Sequence, residues 1–434
     1  MMTEWRSDWI GESYGMTLHR SGLPIYVFPK KLTTTYAILA TKYGATDVEF
    51  RRVGEDGWTT VPDGVAHFLE HKLFENEDGS DSMEHFSAYG ADSNAYTAEN
   101  RTAYLFTCTE RFEESLEELL TFVTSPYFTE RTVKKEQGII AEEIRMYEDN
   151  PWERCFQNLM EGMYHVHPIR RRICGDEQSI TEITAELLYR CHGLFYQLSN
   201  MALIVCGDVS EEQVLRVADR VLPTTCADQP IERRLPDEPP QVRVSEVSDR
   251  MQVAKPIFTV GIKDAGVPDP PEARVARDAA MSLLGEILFS RSGELYSRLF
   301  EEGLLTNSYS YGYSISSGVG FHTVSGESDE PQTVAARIRA HLEKTLAEGI
   351  DPEAFERCRR VLCADELRSY DSTDEIANDL LACVCDGVDL FAYPEALRRV
   401  RREELSALLA ELLREDAFCL SAIYPLENDG EVDA

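Results

Sequence analysis

Two histidines four residues apart, with a glutamate between them, constrain this chain more than any other stretch. They lie in Gly64-Val65-Ala66-His67-Phe68-Leu69-Glu70-His71-Lys72-Leu73-Phe74-Glu75, which reads His-x-x-Glu-His. On a helix, His67 and His71 fall on one face a turn apart, where one tetrahedral zinc can take both imidazoles. Glu70 shares that side but is badly placed to be a further ligand. A carboxylate beside a metal-held water is a general base, and that role falls to Glu70.

Hydrolytic zinc sites usually combine three protein ligands with one open position. The stretch therefore predicts a third ligand elsewhere. The best source is Glu136-Gln137-Gly138-Ile139-Ile140-Ala141-Glu142-Glu143-Ile144-Arg145. Val133, Ile139, Ile140 and Ile144 predict a packed helix there, and Glu136 and Glu143 share one of its faces.

His-x-x-Glu-His followed downstream by Glu-x-x-x-x-x-x-Glu resembles the inverzincin metallopeptidases, the pitrilysin–insulinase–mitochondrial processing peptidase family. The resemblance implies that Glu143 is the third zinc ligand and that Glu136 supports the site. Glu142 is the neighbour not chosen, since it points about 100° away around the helix. The resemblance also implies that Asn94-Ala95-Tyr96-Thr97 is a strand at a sheet edge beside the zinc. A peptide substrate would add there as an extra strand, held through Asn94, Ala95 and Tyr96. Such addition uses backbone hydrogen bonds and tolerates many sequences.

The net charge of −34 argues against nucleic-acid binding, which needs a basic face. It permits attraction of basic peptides, although solubility alone accounts for it. The start of the chain has no basic head or long apolar run, and no stretch reads as a membrane span. The expectation is a cytoplasmic protein with no membrane partner. The 11 Cys are scattered without paired spacing, and Cys108, Cys206 and Cys363 read as buried thiols in a reducing compartment.

Taken in order, residues 16–29 read as two strands around a Ser-Gly turn, and Thr34–Tyr43 as a third. Val61–Phe74 is predicted helical, with a start signal at Pro62-Asp63-Gly64. Helices follow at Ser82–Tyr89, Arg111–Thr124, Thr129–Tyr147, Pro151–Tyr164, Thr181–Tyr196 and Ser210–Val221, with a buried strand at Met201–Val205. His165-Val166-His167 offers a rival metal pair, which reads as structural. Five prolines between 223 and 244 mark a domain boundary. Beyond it come a strand at Gln252–Ile262, helices at Glu272–Phe289 and Glu294–Glu302, strands at Asn307–Ser316 and Val319–Ser325, four more helices, and a last strand at Phe418–Tyr424. This order echoes the first half without its metal residues. The expected fold is α+β: two related domains, 1–222 and 245–434, joined by a Pro-rich linker at 223–244. Each is an antiparallel sheet with helices on one side.

The family resemblance also implies a second-domain Arg and Tyr, spaced roughly as Arg-x-x-x-Gly-Leu-x-Tyr, that reach the substrate carbonyl and the oxyanion. Gly303-Leu304 matches, but without a gap the Arg falls on Leu299 or Phe300 and the Tyr on Thr306. Arg298 and Tyr309 serve only if the spacing is altered. Losing an oxyanion donor typically costs ~10²–10³ in turnover. The alternative is that a homologous partner supplies the pair, this chain being the zinc-bearing half of a heterodimer (a homodimer is the variant). The expected function is a zinc endopeptidase with one Zn²⁺ per chain. It would act on peptides or unfolded segments inside a clam-shell chamber, as a general or processing peptidase. The rival from another class is a non-catalytic assembly subunit; its usual mark is loss of the motif, which here is intact.

Overall fold

The structure, a computed structural model, describes residues 3–226 and 229–427. These form two compact units, neither contiguous in sequence. The first takes the chain up to Ile144, then Arg172–Leu235 and Asp365–Phe391. The second takes Arg145–Arg171, Pro236–Ala364 and the chain from Ala392 on. One passage between units falls inside the Pro-rich stretch. Two others fall inside helices, Glu130–Asp149 and Pro352–Ser369.

The first unit is built on a seven-stranded sheet. Its order is Thr3–Ser7, Glu12–Leu18, Pro24–Pro29, Met201–Gly207, Thr35–Thr41, Thr102–Cys108, Asp92–Thr97. Pairing is antiparallel except where Pro24–Pro29 meets Met201–Gly207, two strands separated by most of the unit's chain. Every residue of Thr35–Thr41 and of Met201–Gly207 is buried. Such uninterrupted burial means that both faces are covered. Helices Val65–Leu73, Ser82–Tyr89 and Phe112–Thr124 lie on one face. The other face, with Ile38, Ala40, Ala202 and Ile204, is closed by Ile376, Ala377, Leu380 and Leu381 of helix Thr373–Asp386. The expectation of helices on one side is corrected here, because the covering helix comes from the far end of the sequence.

The second unit repeats this plan. Its five-stranded sheet runs Glu246–Met251, Phe418–Pro425, Ile257–Asp264, Val319–Glu327, Tyr309–Ser316. The first pair is again parallel and the rest antiparallel. The same succession closes the first sheet, with Asp92–Thr97 in the place of Tyr309–Ser316. Helices Pro271–Phe289, Pro331–Glu348 and Arg402–Leu412 bury one face in a large apolar core. The other face meets Leu159, Met160 and Met163 of helix Pro151–Met163. Each sheet therefore has its second face covered by a helix from the opposite half of the chain.

Some expectations shift in detail. The Pro-rich stretch is not bare linker: Ile231–Arg233 pairs with Glu49–Arg52 in a small three-stranded sheet. Strand Ile257–Asp264 starts five residues later than expected, and polar strand Glu246–Met251 and helix Ala392–Arg399 carried no clear signal. Cys108 and Cys206 are buried, but Cys363 is only half-buried. Among the described residues no helix is long and apolar enough to cross a membrane.

Candidate metal centre

The helix carrying the histidines begins at Val65, four residues later than expected. Gly64 ends the preceding turn at φ +91°, and a Cβ there would sit 2.5 Å from the carbonyl oxygen of Cys174. Only glycine accepts both the left-handed backbone and that approach. From this start, His67 and His71 share a face, their rings 4.6 Å apart between centroids.

Helix Glu130–Asp149 supplies the acids. Val133, Ile140 and Ile144 bury its inner face, whereas Ile139 is exposed, so three of the four expected apolar anchors act as such. Glu136 and Glu143 flank those anchors and face the histidines; Glu142 is exposed. Glu143 turns one carboxylate oxygen to each ring, 3.5 Å from His67 Nε2 and 3.4 Å from His71 Nε2. These separations are long for hydrogen bonds. They match the ~3.4 Å edge of a tetrahedron whose ligands lie ~2.0–2.1 Å from a central zinc. Ligand atoms of His67, His71 and Glu143 all lie within 4.8 Å of one another, and no other such group occurs among the described residues.

The surroundings fit a metal as well. Glu136 Oε1 lies 3.1 Å from His71 Nδ1, which leaves Nε2 turned toward Glu143. Burial lowers the His71 pKa, but the bond to Glu136 and the charges of Glu136, Glu70 and Glu143 outweigh it, and the net shift is upward. A cation is favoured at this point.

Glu70 is buried, and its Oε2 accepts a 2.6 Å hydrogen bond from the hydroxyl of Thr97. Thr97 ends strand Asp92–Thr97, which is the edge of the first sheet. Nothing singled Thr97 out beforehand. The alternation of a strand could have done so, since Thr97 must face opposite to Tyr96. Ala95 N–H donates to Asn94 Oδ1 at 2.9 Å. Tyr96 turns its side chain away from Glu70, and its hydroxyl donates to Asn378 Oδ1 at 3.0 Å. The Tyr96 side chain is thus engaged on the face away from Glu70.

Arg298 and Tyr309 belong to the second unit. Arg298 is exposed on helix Glu294–Glu301 and paired with Glu294 one turn back. Tyr309 is 7% exposed, and its hydroxyl donates to the Phe289 carbonyl at 2.7 Å. Both are engaged within their own unit, and Tyr309 serves its core. Of the rival pair, the His167 ring is engaged on structural tasks, in a capped turn rather than a strand. His167 caps a short helical turn through Nδ1 and lies 3.1 Å from the Ser317 carbonyl through Nε2. The backbone N–H groups of His165, Val166 and His167 all donate to Glu238, each at 2.9 Å. Glu238 also pairs at 2.7 Å with Lys263, whose side chain is 3% exposed. Burial alone would raise the Glu238 pKa, but Lys263 and the three amides hold it at about 2.

Residues 59–177 match the profile described as insulinase (peptidase family M16), and residues 182–362 match the one described as the peptidase M16 inactive domain. A Bacillus subtilis protein described as an uncharacterized zinc protease, YmfH, is 37% identical over 408 residues, 93% of this chain and 95% of that protein. A solved structure described as an M16-like peptidase, from Alicyclobacillus acidocaldarius, superposes with a TM-score of 0.90 at 34% identity, covering 95% of this chain and 98% of that one. An Arabidopsis thaliana protein described as a mitochondrial-processing peptidase subunit beta is 26% identical over 230 residues, 51% of this chain and 43% of that protein.

Proposed function

Since the chain belongs to the insulinase family, peptidase family M16, we propose that it is a zinc-dependent endopeptidase acting on peptides or unfolded segments. The observation that carries the reading is the convergence of His67, His71 and Glu143 within 4.8 Å, beside a Glu70 held by Thr97. Zinc bound among the three ligands supplies Lewis acidity toward water and toward a peptide carbonyl. Glu70 takes the proton of the attacking water and passes it to the leaving amine. Thr97 occupies Oε2 of Glu70 and leaves Oε1 for that exchange. Glu136 fixes the orientation of the His71 ring through Nδ1. The edge strand Asp92–Thr97 receives the substrate as an added strand, which places the scissile bond by backbone contacts.

Tyr309 is committed to the Phe289 carbonyl, which favours an Arg and Tyr supplied by a homologous subunit. The chain is then the metal-bearing half of a heterodimer. The decisive experiment measures zinc content and cleavage of a quenched fluorescent peptide library, for wild type and Glu70→Gln. One zinc in both with hydrolysis only in the wild type establishes the enzyme. Zinc in both without hydrolysis in either directs the search to a partner subunit or to a non-catalytic role. Absence of zinc removes the peptidase reading, and full activity of the isolated chain removes the heterodimer.

A further inference from the structure

An edge strand that is to position a peptide bond has a mechanical problem. It is hydrogen-bonded on one side only, so no neighbouring strand on its open side fixes the groups that a docking peptide would meet. Strand Asp92–Thr97 pairs with Thr102–Cys108 alone. The hairpin closes with Ala98 N–H donating to the Arg101 carbonyl. Backbone groups alternate along an antiparallel pair, so Tyr96 and Asn94 point into the ladder while Ala95 and Thr97 point to the open edge. The Ala95 N–H, met by the strand's own Asn94 side chain, agrees with this parity. The two groups that a docked peptide would use therefore flank Tyr96, whose position sets theirs.

The Tyr96 side chain is held from the face opposite Glu70. Its hydroxyl donates to Asn378 Oδ1 at 3.0 Å. The Asn378 amide donates in turn to the Tyr36 hydroxyl at 3.0 Å and to the Asp374 carbonyl at 2.9 Å. Tyr36 lies in the fully buried strand Thr35–Thr41. A second tie joins the hairpin tip to the same helix, where Asn100 Nδ2 donates to Asp386 Oδ1 at 3.3 Å. Asn378 accepts from one tyrosine and donates to another and to a carbonyl; Ala or Leu there could do neither.

We infer that Asn378 is a positioning residue for substrate: through Tyr96 it holds the edge strand in the place where an extended peptide docks beside His67 and His71. The inference rests on the peptidase reading. It assigns a substrate-positioning task to a residue 282 positions away from Tyr96.

The test uses the full chain as wild type, Asn378→Ala, Tyr96→Phe and the double variant. Tyr96→Phe removes one hydroxyl and keeps the ring, so it guards against a folding defect in Asn378→Ala. Zinc content, kcat and KM are measured for one quenched fluorescent peptide that the wild type cleaves, together with amide exchange over residues 92–97. Zinc stays at the wild-type level. Each single variant raises KM about fivefold, as loss of one hydrogen bond would, with kcat within about twofold. The double variant is no worse than either single, because both remove the same contact. Exchange over 92–97 speeds up in all three. Unchanged KM in both singles, or additive effects in the double, overturns the inference. If the isolated wild type cleaves no peptide, it needs a partner subunit or is non-catalytic, and that outcome bears on the peptidase reading alone. Exchange then decides alone: faster exchange over 92–97 supports the role of Asn378 in holding the strand, and unchanged exchange overturns it.

Discussion

Glu136 Oε1 lies 3.1 Å from His71 Nδ1, while Glu143 faces the same ring through Nε2 at 3.4 Å. One imidazole is thus oriented by one carboxylate and turned toward another. Outer partners of this kind fix the ring and raise its basicity as a ligand. Glu136→Ala is expected to weaken zinc binding about 10–100-fold without unfolding the chain. Competition against a chromogenic chelator reads this directly, and an unchanged affinity would remove Glu136 from the site.

Thr97 bears on rate rather than metal. Its hydrogen bond to Glu70 goes to a buried carboxylate, and bonds to charged groups are worth about 1.5–3 kcal/mol. Thr97→Val is expected to lower kcat by about tenfold or more with zinc content unchanged, and Thr97→Ser to recover most of the loss. Equal kcat for Val and Ser would show that the hydroxyl does not serve Glu70.

Acid should destabilise the fold through two buried imidazoles. Burial lowers His192 and His322 to about 4 each, against about 6.5 in the unfolded chain. Both are neutral when folded. Between these values the unfolded chain binds protons that the folded one does not, so stability falls as pH drops from about 6.5 toward 4. The loss is at most about 3 kcal/mol for each ring. Urea midpoints at pH 7 and pH 4.5 measure it, and His322→Leu should shrink the difference. A flat profile in the wild type would refute the assignment.

Glu238→Ala should be among the most damaging substitutions in the second unit. It strands the Lys263 ammonium, whose remaining acceptors are the carbonyls of Met163, Pro239 and Gln241, and frees three backbone N–H groups. Removing one partner of a buried pair typically costs about 3–5 kcal/mol. Denaturant unfolding of the full chain tests this, and a change under about 1 kcal/mol would contradict it.

The exchanged helices make the halves of the chain interdependent. Cut in the Pro-rich stretch, the N-terminal piece lacks Ile376, Leu380 and Leu381, which cover its sheet. The C-terminal piece lacks Leu159, Met160 and Met163. Each such side chain contributes about 1.5–3 kcal/mol when buried. The pieces expressed singly should bind a hydrophobic dye and lack a cooperative transition. Co-expressed, they should form a complex that restores one. Cooperative unfolding of either piece alone would overturn this.

Much of the centre was legible because its geometry is local. The spacing of His67 and His71, and that of Glu136 and Glu143, translate directly into helix faces. The edge position of Asp92–Thr97 came from resemblance, and the alternation that aims Thr97 at Glu70 was present in the strand. What stayed hidden is long-range. The apolar face of Thr373–Asp386 marks a helix but not which sheet it covers, and no pattern links Asn378 to Tyr96. Tyr309 shows the converse limit: the family resemblance offered it only with an altered spacing, such a match carries no information on burial, and its hydroxyl donates to the Phe289 carbonyl.

The bond from Ala95 N–H to Asn94 Oδ1 has a consequence for solubility. A strand edge open enough to accept a peptide is also open to the same edge on another copy, the usual beginning of aggregation. Here the exposed amide is already occupied, by a side chain that can swing aside. The copies repel one another through a net charge of −34. An incoming strand must offer more than the one hydrogen bond it displaces, so the cap that discourages self-association also sets a threshold for substrates.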